Sequence, residues 1–351
     1  MTATTATRPA IARTIGKPFD YARLGRAFSE GEAFMRGMSE AAIAAIRAAR
    51  AADAVRKLTC CPVCESDGLT GFVSIADHEY AQCGACGHVF VSTVVDEATR
   101  TRFFAQSASY SAGYCDEGRL QFRLDQIARP KVNYVEQHAA GRGAWLDIGC
   151  GAGEVIAEAQ SRGWRCVGLE LSAASAQFGR ERLRVDIRPH TLEEHIAQSR
   201  DARYDVVSAF GVIHCLEDPV AFVRAAAGLL ASNGVFVMEL SNADSVTADA
   251  VRTFPNHPTR SSFNPLTTLH QFSDRSVERL CERAGLTPAA VWQYGTDAYE
   301  VLNHLNFAIP QLESSPLFPA LLSAAQAQQA AWDEQGRGSH RLWIARPSTR
   351  E

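Results

Sequence analysis

The chain has 351 residues, of which 46% are hydrophobic and 21% are charged, and its formal net charge is −4. This is an ordinary globular composition, and the small negative charge argues against a global attraction to nucleic acid or to an anionic membrane. The length predicts one large domain with appendages, or two domains. No stretch reaches the roughly 18 consecutive apolar residues of a membrane span.

The cysteines and the first residues of the chain indicate the cellular compartment. The start of the chain lacks the apolar core of a secretory signal. Ten cysteines, four of them in paired spacing, fit a reducing environment with a metal site better than a disulfide scaffold. We therefore expect a cytoplasmic protein with no membrane association.

The N-terminal part divides into an unpatterned start and a helical segment. Residues 1 to about 18 are rich in Thr, Ala, Pro and Arg without periodicity, which predicts disorder. From Ser29 to about Arg56 the composition favours a helix, and its apolar residues form one stripe. This stripe predicts packing on the rest of the chain or pairing with a second copy in a homodimer. The stripe consists of Phe34, Met38, Ile43 and Ile46.

Two Cys-x-x-Cys turns come next, formed by Cys61 with Cys64 and by Cys83 with Cys86. Four thiolates complete the tetrahedron that zinc prefers and leave no open position for chemistry, so the spacing predicts a structural zinc ribbon. The intervening stretch LTGFVSIADHEYAQ predicts its hairpin arm. Redox pairs or a chance arrangement are the alternatives, and Cys60 is the weaker ligand candidate because it lies one residue out of register.

From Ala144 onward, short apolar runs alternate with helical patterns. The runs are AWLDI, RCVGLEL, RVDIR, YDVVSAF and GVFVMEL. Their alternation predicts an α/β fold with a parallel, doubly wound sheet and helices on both faces. Two later strands, TPAAVWQYG and HRLWIARP, are separated by a long excursion of the kind that is usually functional or a lid. The predicted units are an extension (1–57), a zinc ribbon (58–100), a connecting segment with a helix (101–143), and the α/β domain (144–351) with an insertion (296–339).

The stretch WLDIGCGAGE places an acidic residue and three glycines directly after the first apolar run. Gly149, Gly151 and Gly153 let the backbone pass close to a ligand, and the following helix offers unpaired N–H groups. A dinucleotide fingerprint reads Gly-x-Gly-x-x-Gly and needs only N–H donors, whereas Asp147 suits a ligand with an ammonium. Glu170 ends the second strand, where a carboxylate can accept both hydroxyls of a ribose. A ligand with a ribose and a cationic amino acid is S-adenosylmethionine.

On these motifs the chain resembles the class I S-adenosylmethionine-dependent methyltransferases over roughly Ala144 to Pro347. The segments that carry the resemblance, in the family's order, are LDIGCGAG, GLELS, TLEE, YDVVSAFGVIHCLEDP, GVFVMEL and HQFSDRSVERLCERAGL. The resemblance implies that the glycine turn holds the methionine part, that Glu170 binds the ribose, and that Thr191 and Leu192 lie near the adenine. It also implies an antiparallel closing hairpin, here opened by the insertion. The predicted cofactor residues are Asp147, Gly149, Gly151, Gly153, Glu170, Leu171, Thr191, Leu192 and Phe210.

Three residues are candidates for acceptor contact or proton removal. Methyl transfer is an in-line displacement at a sulfonium, so the protein positions the acceptor and, where required, removes its proton. His214 follows the fourth strand, Glu239 ends the fifth, and His270 precedes the last long helix. For each, a purely structural role is the alternative. Relatives commonly read Leu-Glu-His where this chain has Ile213-His214-Cys215, which leaves a catalytic role for this position open.

Two segments are expected to cover the acceptor. One is SASYSAGY, which contains Tyr110 and Tyr114. The other is the insertion, in which Asn303 to Phe307 offer polar groups. Because a sulfonium gains little from a solvated site, we expect these covers to determine acceptor specificity.

The order of the modules suggests the substrate class. A four-cysteine ribbon before such a domain is similar to bacterial methyltransferases often linked to sugar or secondary-metabolite modification. We therefore expect S-adenosylmethionine and zinc to be bound, and a small molecule, sugar-like or a natural-product intermediate, to be methylated. An RNA methyltransferase with an RNA-gripping ribbon is a second hypothesis, against which the ribbon's acidic residues argue. These acidic residues of the ribbon are Glu65, Asp67, Asp77 and Glu79. A non-catalytic binding module is a third hypothesis.

Overall fold

The computed structural model describes residues 10–17, 28–75, 77–106, 115–255, 263–309 and 311–348. Its strands are β1 (Ala12–Ile15), β2 (Val55–Lys57), β3 (Leu69–Ile75), β4 (His78–Cys83), β5 (Val89–Val91), β6 (Thr93–Val95), β7 (Ala144–Ile148), β8 (Arg165–Leu169), β9 (Ile187–Arg188), β10 (Tyr204–Phe210), β11 (Leu230–Ser241), β12 (His270–Gln271), β13 (Leu286–Tyr294) and β14 (His340–Pro347).

The helices connect these strands. They are α1 (Phe28–Ala51), α2 (Glu97–Gln106), α3 (Glu117–Arg123), α4 (Arg129–Glu136), α5 (Glu154–Ser161), α6 (Ala173–Phe178), α7 (Leu192–Gln198), α8 (Pro219–Ala227), α9 (Val246–Thr253), α10 (Asp274–Ala284), α11 (Asp297–Ala308) and α12 (Phe318–Glu334). A π turn at Leu124–Ala128 joins α3 to α4, another at Gly179–Leu183 follows α6, and a 3₁₀ turn spans Ile213–Cys215.

The large sheet has the order β1-β13-β14-β11-β10-β7-β8-β9. Strands β9, β8, β7, β10 and β11 pair in parallel, and β14 pairs antiparallel with both β11 and β13. Neighbouring residues of the central strands, such as Trp145 and Leu146 of β7 or Phe236 and Val237 of β11, are all buried. Burial on both faces is what the continuous apolar runs require. The predicted doubly wound sheet with an antiparallel closing hairpin is confirmed.

The edge strand β1 was not expected, because residues 1 to about 18 carry no periodicity. It pairs in parallel with β13, from Ala12 opposite Ala290 to Ile15 opposite Gln293. All four of its side chains are exposed, so the strand is held by main-chain hydrogen bonds and leaves no hydrophobic pattern in the sequence. Prediction of disorder is therefore wrong for this stretch.

The cysteine-rich region forms a small antiparallel sheet with the order β12-β5-β4-β3. The hairpin of β3 and β4 is the predicted arm between the two cysteine pairs. The fourth strand, β12, comes from the α/β domain and pairs with β5. Buried Cys61 and Phe90 of this sheet share one hydrophobic cluster with Phe272 and Leu280. The two predicted units are therefore joined by a continuous sheet and a continuous core.

Helix α1 packs on its own chain. Ala42, Ile46 and Ala49 are buried in one cluster with Val95 and Leu266. The side chains of Phe34 and Met38, the other end of the predicted stripe, lie outside the described residues. Over the described part of the chain, neither α1 nor another helix combines the length and apolar character needed to cross a bilayer.

The insertion between β13 and β14 folds into two helices instead of an irregular lid. Helices α11 and α12 pack through a separate cluster that includes Leu302 and Phe318. The buried carboxylate of Asp297 anchors the insertion, accepting hydrogen bonds from Thr247 Oγ1 at 2.7 Å and from the Ser339 backbone N–H at 2.7 Å. This buried anchor fixes the insertion to α9 and to the start of β14.

Candidate active site

The glycine turn after β7 has the backbone that only glycine adopts readily. Gly149, Gly151 and Gly153 have φ values of 69°, 58° and 84°. A Cβ at Gly149 would lie 2.5 Å from Val212 Cγ2, and one at Gly153 would lie 2.9 Å from Val185 Cγ2. Both the conformation and the close approach of neighbouring chain therefore require these glycines.

Asp147 is buried at the end of β7, opposite Ser208 of β10. The Ser208 hydroxyl donates a hydrogen bond of 2.6 Å to Asp147 Oδ1. Burial raises the pKa of Asp147 to about 7, and Glu154 and Glu170 add to the increase, against the opposing effects of Ser208 and Lys131. A cationic ligand group beside Asp147 would favour its ionised form. This is the environment expected for a site that receives an ammonium.

Glu170 follows β8 and faces the same turn. Its two carboxylate oxygens accept backbone hydrogen bonds, one from Gly151 N–H at 2.9 Å and one from Ser172 N–H at 2.7 Å. Burial raises the pKa of Glu170, while these N–H donors oppose the increase. A carboxylate offers about four lone-pair positions, so these backbone donors do not use its full capacity and a ligand hydroxyl can still bind.

A cavity of about 570 Å³ runs along the carboxyl ends of β7, β8, β10 and β11. This volume is within the range of small-molecule sites. The cavity brings together most of the predicted cofactor residues and two of the three predicted acceptor-contact residues, His214 and Glu239. Gly153 is not among the lining residues and supports the turn from behind. The predicted cofactor residues that line it are Asp147, Gly149, Gly151, Glu170, Leu171, Thr191, Leu192 and Phe210.

Thr191 contributes through its position at the start of α7. Its hydroxyl accepts from Glu194 N–H at 3.2 Å, and the Glu194 carboxylate accepts from Thr191 N–H at 2.8 Å, which completes a capping box. The side chain is thus engaged in capping. Thr191 and Leu192 bring the first turn of α7 to the cavity wall, where the adenine is expected.

Glu239 lies near the end of β11 and has a partner on each oxygen. Lys131 Nζ donates to Oε2 at 2.7 Å, and the Tyr294 hydroxyl donates to Oε1. Burial alone would raise the pKa of Glu239, but Lys131, His340 and Tyr294 together lower it to about 2. This carboxylate is therefore ionised and held in place, and it is a poor acceptor for a proton near neutral pH.

His214 lies in the 3₁₀ turn after β10 and lines the cavity. Its Nδ1 is 3.4 Å from Ser241 Oγ, and its backbone oxygen accepts from Leu269 N–H at 2.7 Å. Burial, aided by His340, lowers the pKa of His214 to about 4, against the effect of Glu239. The imidazole is therefore neutral at physiological pH.

His270 does not reach the cavity. It is 1% exposed on β12, with Nε2 2.7 Å from the backbone oxygen of Leu216 and Nδ1 3.1 Å from His88 Nε2. Burial lowers its pKa to about 3. Because both ring nitrogens bind protein atoms between the two sheets, we do not retain His270 as an acceptor contact. The pairing of β12 with β5, which sequence reasoning did not reveal, determines this position.

Helices α3 and α4 supply lining residues that sequence reasoning missed. Arg123, Ile127 and Lys131 all line the cavity, and Arg123 Nε donates to Glu154 Oε1 at 2.5 Å. On an ideal α-helix, residues eight apart are about 80° out of line. The π turn between α3 and α4 is wider than an α-helical turn, so it reduces the angle between Arg123 and Lys131 around the helix axis. The π turn comes just before Pro130, whose nitrogen carries no hydrogen to donate to an α-helical partner. Pro130 within the predicted helix is the sequence feature that could have indicated this change in helix geometry.

Among the described residues, the cavity is covered by α2 together with α3 and α4. The described residues of the insertion, including 303–306, do not line the cavity, so this part of the insertion does not form a lid over it. Tyr110 and Tyr114 lie outside the described residues. Phe104 and Arg100 of α2 line the cavity instead, and the buried Arg100 donates to the backbone oxygen of Cys215 at 2.6 Å.

The four paired cysteines converge in the small sheet. The Cys61 and Cys86 sulfurs are 3.7 Å apart, those of Cys64 and Cys83 are 3.5 Å apart, and all four sulfurs lie within 4.8 Å of one another. With a Zn–S bond of about 2.3 Å, a tetrahedral site needs S–S distances of about 3.8 Å. Cys60 is exposed and lies outside this group. The donor set and its spacing fit zinc.

Comparison with known proteins agrees with this site. A family of methyltransferase domains matches residues 120–291. The ubiquinone biosynthesis O-methyltransferase of Serratia proteamaculans is 34% identical over 119 residues, 32% of this chain and 48% of that protein. The protein of the same name from Acinetobacter baylyi is 27% identical over 123 residues, 32% of this chain and 51% of that one. The chain thus spans about half the length of these curated relatives.

Among solved structures, magnesium protoporphyrin IX methyltransferase from Synechocystis PCC 6803, with bound SAH, aligns with a TM-score of 0.46 and 13% identity. The alignment covers 71% of this chain and 99% of that one.

The matched segment, the strand order and the glycine turn identify a class I S-adenosylmethionine-dependent methyltransferase domain in this chain. A small N-terminal antiparallel sheet that carries a four-cysteine cluster precedes and joins it.

Replacement of Glu170 tests the cofactor assignment. Glu170→Ala should weaken S-adenosylmethionine binding, measured by calorimetry, by more than about tenfold, because charge-assisted hydrogen bonds to the ribose are lost. The exposed Glu334 provides the control, and Glu334→Ala should bind like the wild type. Undiminished affinity in Glu170→Ala would remove the ribose assignment.

Proposed function

We propose that this protein transfers a methyl group from S-adenosylmethionine to a small-molecule acceptor, sugar-like or a natural-product intermediate. The observation that carries the proposal is the single cavity that joins the cofactor residues Asp147 and Glu170 to the polar side chains His214 and Glu239. One space thus holds both a site for the cofactor and room beside it for a second molecule.

The enclosure of the site supports a small acceptor. The cavity is walled by α2, by α3 and α4, and by Thr267 and Thr268 before β12, and α2 is tied to the core through Arg100. A small molecule fits such a walled space better than a folded RNA does. The name of the curated relatives, ubiquinone biosynthesis O-methyltransferase, favours oxygen as the methylated atom.

The cofactor residues fit the parts of S-adenosylmethionine. The turn at Gly149–Gly151 would lie beside the methionine part, Asp147 would face its ammonium, and Glu170 would accept the ribose hydroxyls. The first turn of α7 would lie against the adenine. When bound, the cofactor supplies an electrophilic methyl group on a sulfonium.

The remaining side chains position the acceptor and exclude water. Glu239 is held ionised by Lys131 and Tyr294, so its charge is fixed at the edge where the acceptor enters. His214 is neutral, and its ring can accept a hydrogen bond from an acceptor hydroxyl. Because its pKa is low, we assign His214 to orientation of the acceptor and a minor part in proton removal. Positioning is then the main contribution to catalysis.

We also propose that the four cysteines bind one structural zinc ion. The backbone N–H groups of Val63 and Cys64 point at the Cys61 sulfur, as thiolate ligands require. The Ser273 hydroxyl at the start of α10 donates to the Cys86 backbone oxygen at 2.6 Å. Metal binding would therefore stabilise the contact between the small sheet and α10, and with it the strand β12.

Transfer of a labelled methyl group tests the enzymatic proposal. Purified protein with methyl-labelled S-adenosylmethionine is given an extract of producing cells, separated into small-molecule, RNA and protein fractions. Label should enter the small-molecule fraction, and Asp147→Ala should abolish the transfer because the ammonium site is lost. Glu334→Ala should transfer normally.

Two results would contradict the small-molecule proposal. Label that enters only the RNA fraction would favour an RNA methyltransferase. Cofactor binding without transfer into a fraction of the extract would favour a non-catalytic module.

Metal analysis tests the zinc proposal separately. The purified chain should hold about one zinc ion, and Cys83→Ser should lose it and unfold at a lower temperature, because metal binding contributes to folding. The exposed Cys60 is the matched control, and Cys60→Ser should keep the metal. A folded preparation free of metal would refute the assignment.

A further inference from the structure

The ammonium of Lys131 lies in the cavity wall where the ends of β10 and β11 meet. Its Nζ is 2.7 Å from Glu239 Oε2 and 4.8 Å from the centre of the Phe210 ring. The side chain is 8% exposed, and the residue lines the cavity. These strand ends are where the proposed function places the acceptor. Lys131 is therefore next to the acceptor and outside the motifs that bind the cofactor.

The ammonium has hydrogen-bonding capacity left for a ligand. A lysine ammonium carries three donors and no acceptor. Among the residues that the structure describes, Glu239 is its one hydrogen-bond partner. A buried donor without a partner costs free energy, so a ligand oxygen placed in the cavity would be stabilised there.

A second ammonium lies close to Lys131. Lys17 also lies close to Glu239, with its Nζ 5.2 Å from the centre of the Tyr294 ring. Burial and the charge of Lys131 lower the pKa of Lys17 to about 8, against the effect of Glu239. Burial lowers the pKa of His214 to about 4, and it also lowers the pKa of His340, against the effects of Glu239 and Asp297. The ammonium groups of Lys131 and Lys17 thus both lie near Glu239, and Lys131 also acts on Asp147.

A bound cofactor would bring one further positive charge, its sulfonium, to this part of the cavity, while its ammonium would lie beside Asp147 and favour the ionised form of that carboxyl. An uncompensated buried charge is costly. An acceptor that brings a negative charge to this part of the cavity would offset it.

Neither of the two acceptor-contact side chains, Glu239 and His214, is a strong base for a weakly acidic alcohol. Both oxygens of Glu239 already accept hydrogen bonds, from Lys131 and Tyr294. His214 is a weak base because burial lowers its pKa. An acceptor beside these two groups is therefore favoured if it is acidic enough to lose its proton to water when it binds next to a cation.

The apolar part of the cavity lining suits a planar ring. Ile127, one turn before Lys131, lines the cavity together with Phe104 of α2, Phe210 and Phe222. Apolar and aromatic side chains of this kind bury the faces of an unsaturated ring. The polar and apolar parts of the wall thus match a ring that carries one ionisable oxygen.

We propose that Lys131 binds the ionised oxygen of the acceptor, and that the acceptor is a small molecule with an acidic hydroxyl, a phenol or an enol. This inference rests on the proposed function and favours a natural-product intermediate over a sugar with only aliphatic hydroxyls. The hydroxyl proton goes to water on binding. An oxygen lone pair then forms the O–CH₃ bond while the CH₃–S bond breaks, and its electron pair stays on sulfur, giving S-adenosylhomocysteine and a methyl ether.

A coloured phenol tests the inference without knowledge of the natural acceptor. 4-Nitrophenol is titrated with pH in the presence of excess protein saturated with S-adenosylhomocysteine, in a range below the pKa of Lys17. The phenolate absorption reports ionisation of the bound probe. Wild-type protein should lower the pKa of the probe by about one unit or more, the effect of an opposite charge in contact.

Variants separate Lys131 from the general charge of the protein. Lys131→Met combined with Glu239→Gln removes both partners and avoids a buried unpaired carboxylate, and this double variant should lose the pKa shift. Lys131→Arg should keep it. Lys57→Met removes a lysine that is exposed on β2 and should leave the shift unchanged. Binding of S-adenosylhomocysteine shows that each variant is folded.

The outcomes distinguish this inference from the proposed function. Wild-type protein that binds S-adenosylhomocysteine but leaves the pKa of the probe unchanged, or does not bind the probe, overturns the role of Lys131. An equal shift in the double variant overturns it as well. Wild-type protein that fails to bind S-adenosylhomocysteine counts against the proposed function itself.

Discussion

The carboxylate of Glu239, whose side chain is 13% exposed, determines what packs on the carboxyl edge of the sheet. It lies near the end of a central strand, where leaving it unpaired would cost several kcal/mol. Lys131 from α4 and Tyr294 from β13 provide its partners. The first contact holds α4 across the strand ends, and the second joins the closing hairpin to the core. The positions of α4 and of the closing hairpin at the cavity thus depend on one charged group.

A second set of contacts extends from the cysteine cluster to the cavity. The small sheet pairs with β12, and His88 meets His270 between the two sheets. Directly before β12, Leu269 donates its N–H to the backbone oxygen of His214, and the Tyr80 hydroxyl donates to the Thr268 oxygen at 2.8 Å. The position of the cavity wall around His214 therefore depends on the folding of the cysteine-rich region, although no cysteine of the cluster lines the cavity.

Sequence reasoning succeeded where the signal is local. The glycine turn is one such case, because Gly149 and Gly153 need a backbone that other residues avoid, and the spacing of the cysteine pairs is another. It failed where a long-range contact decides. Nothing near His270 shows that its strand joins a different sheet. Lys131 belongs to no predicted motif, since its role depends on a helix that crosses the sheet edge next to Glu239, more than 100 residues away in sequence.

The insertion is a second case in which a long-range contact could not be predicted from the sequence. Its length suggested a lid, yet length cannot tell where a segment docks. The carboxylate of Asp297, buried against Thr247 and Ser339, fixes that docking and is one acidic residue among many in the sequence. Among the described residues, the helices that cover the cavity are α2, α3 and α4, which precede β7. The π turn between α3 and α4 aligns Arg123 and Lys131.

A crystal structure of the complex with S-adenosylhomocysteine tests the account most directly. The account predicts the ribose hydroxyls on Glu170, the ammonium beside Asp147, and the sulfur directed toward the space between Lys131 and His214. A ligand bound elsewhere, or one whose sulfur faces away from Lys131 and Glu239, would contradict it.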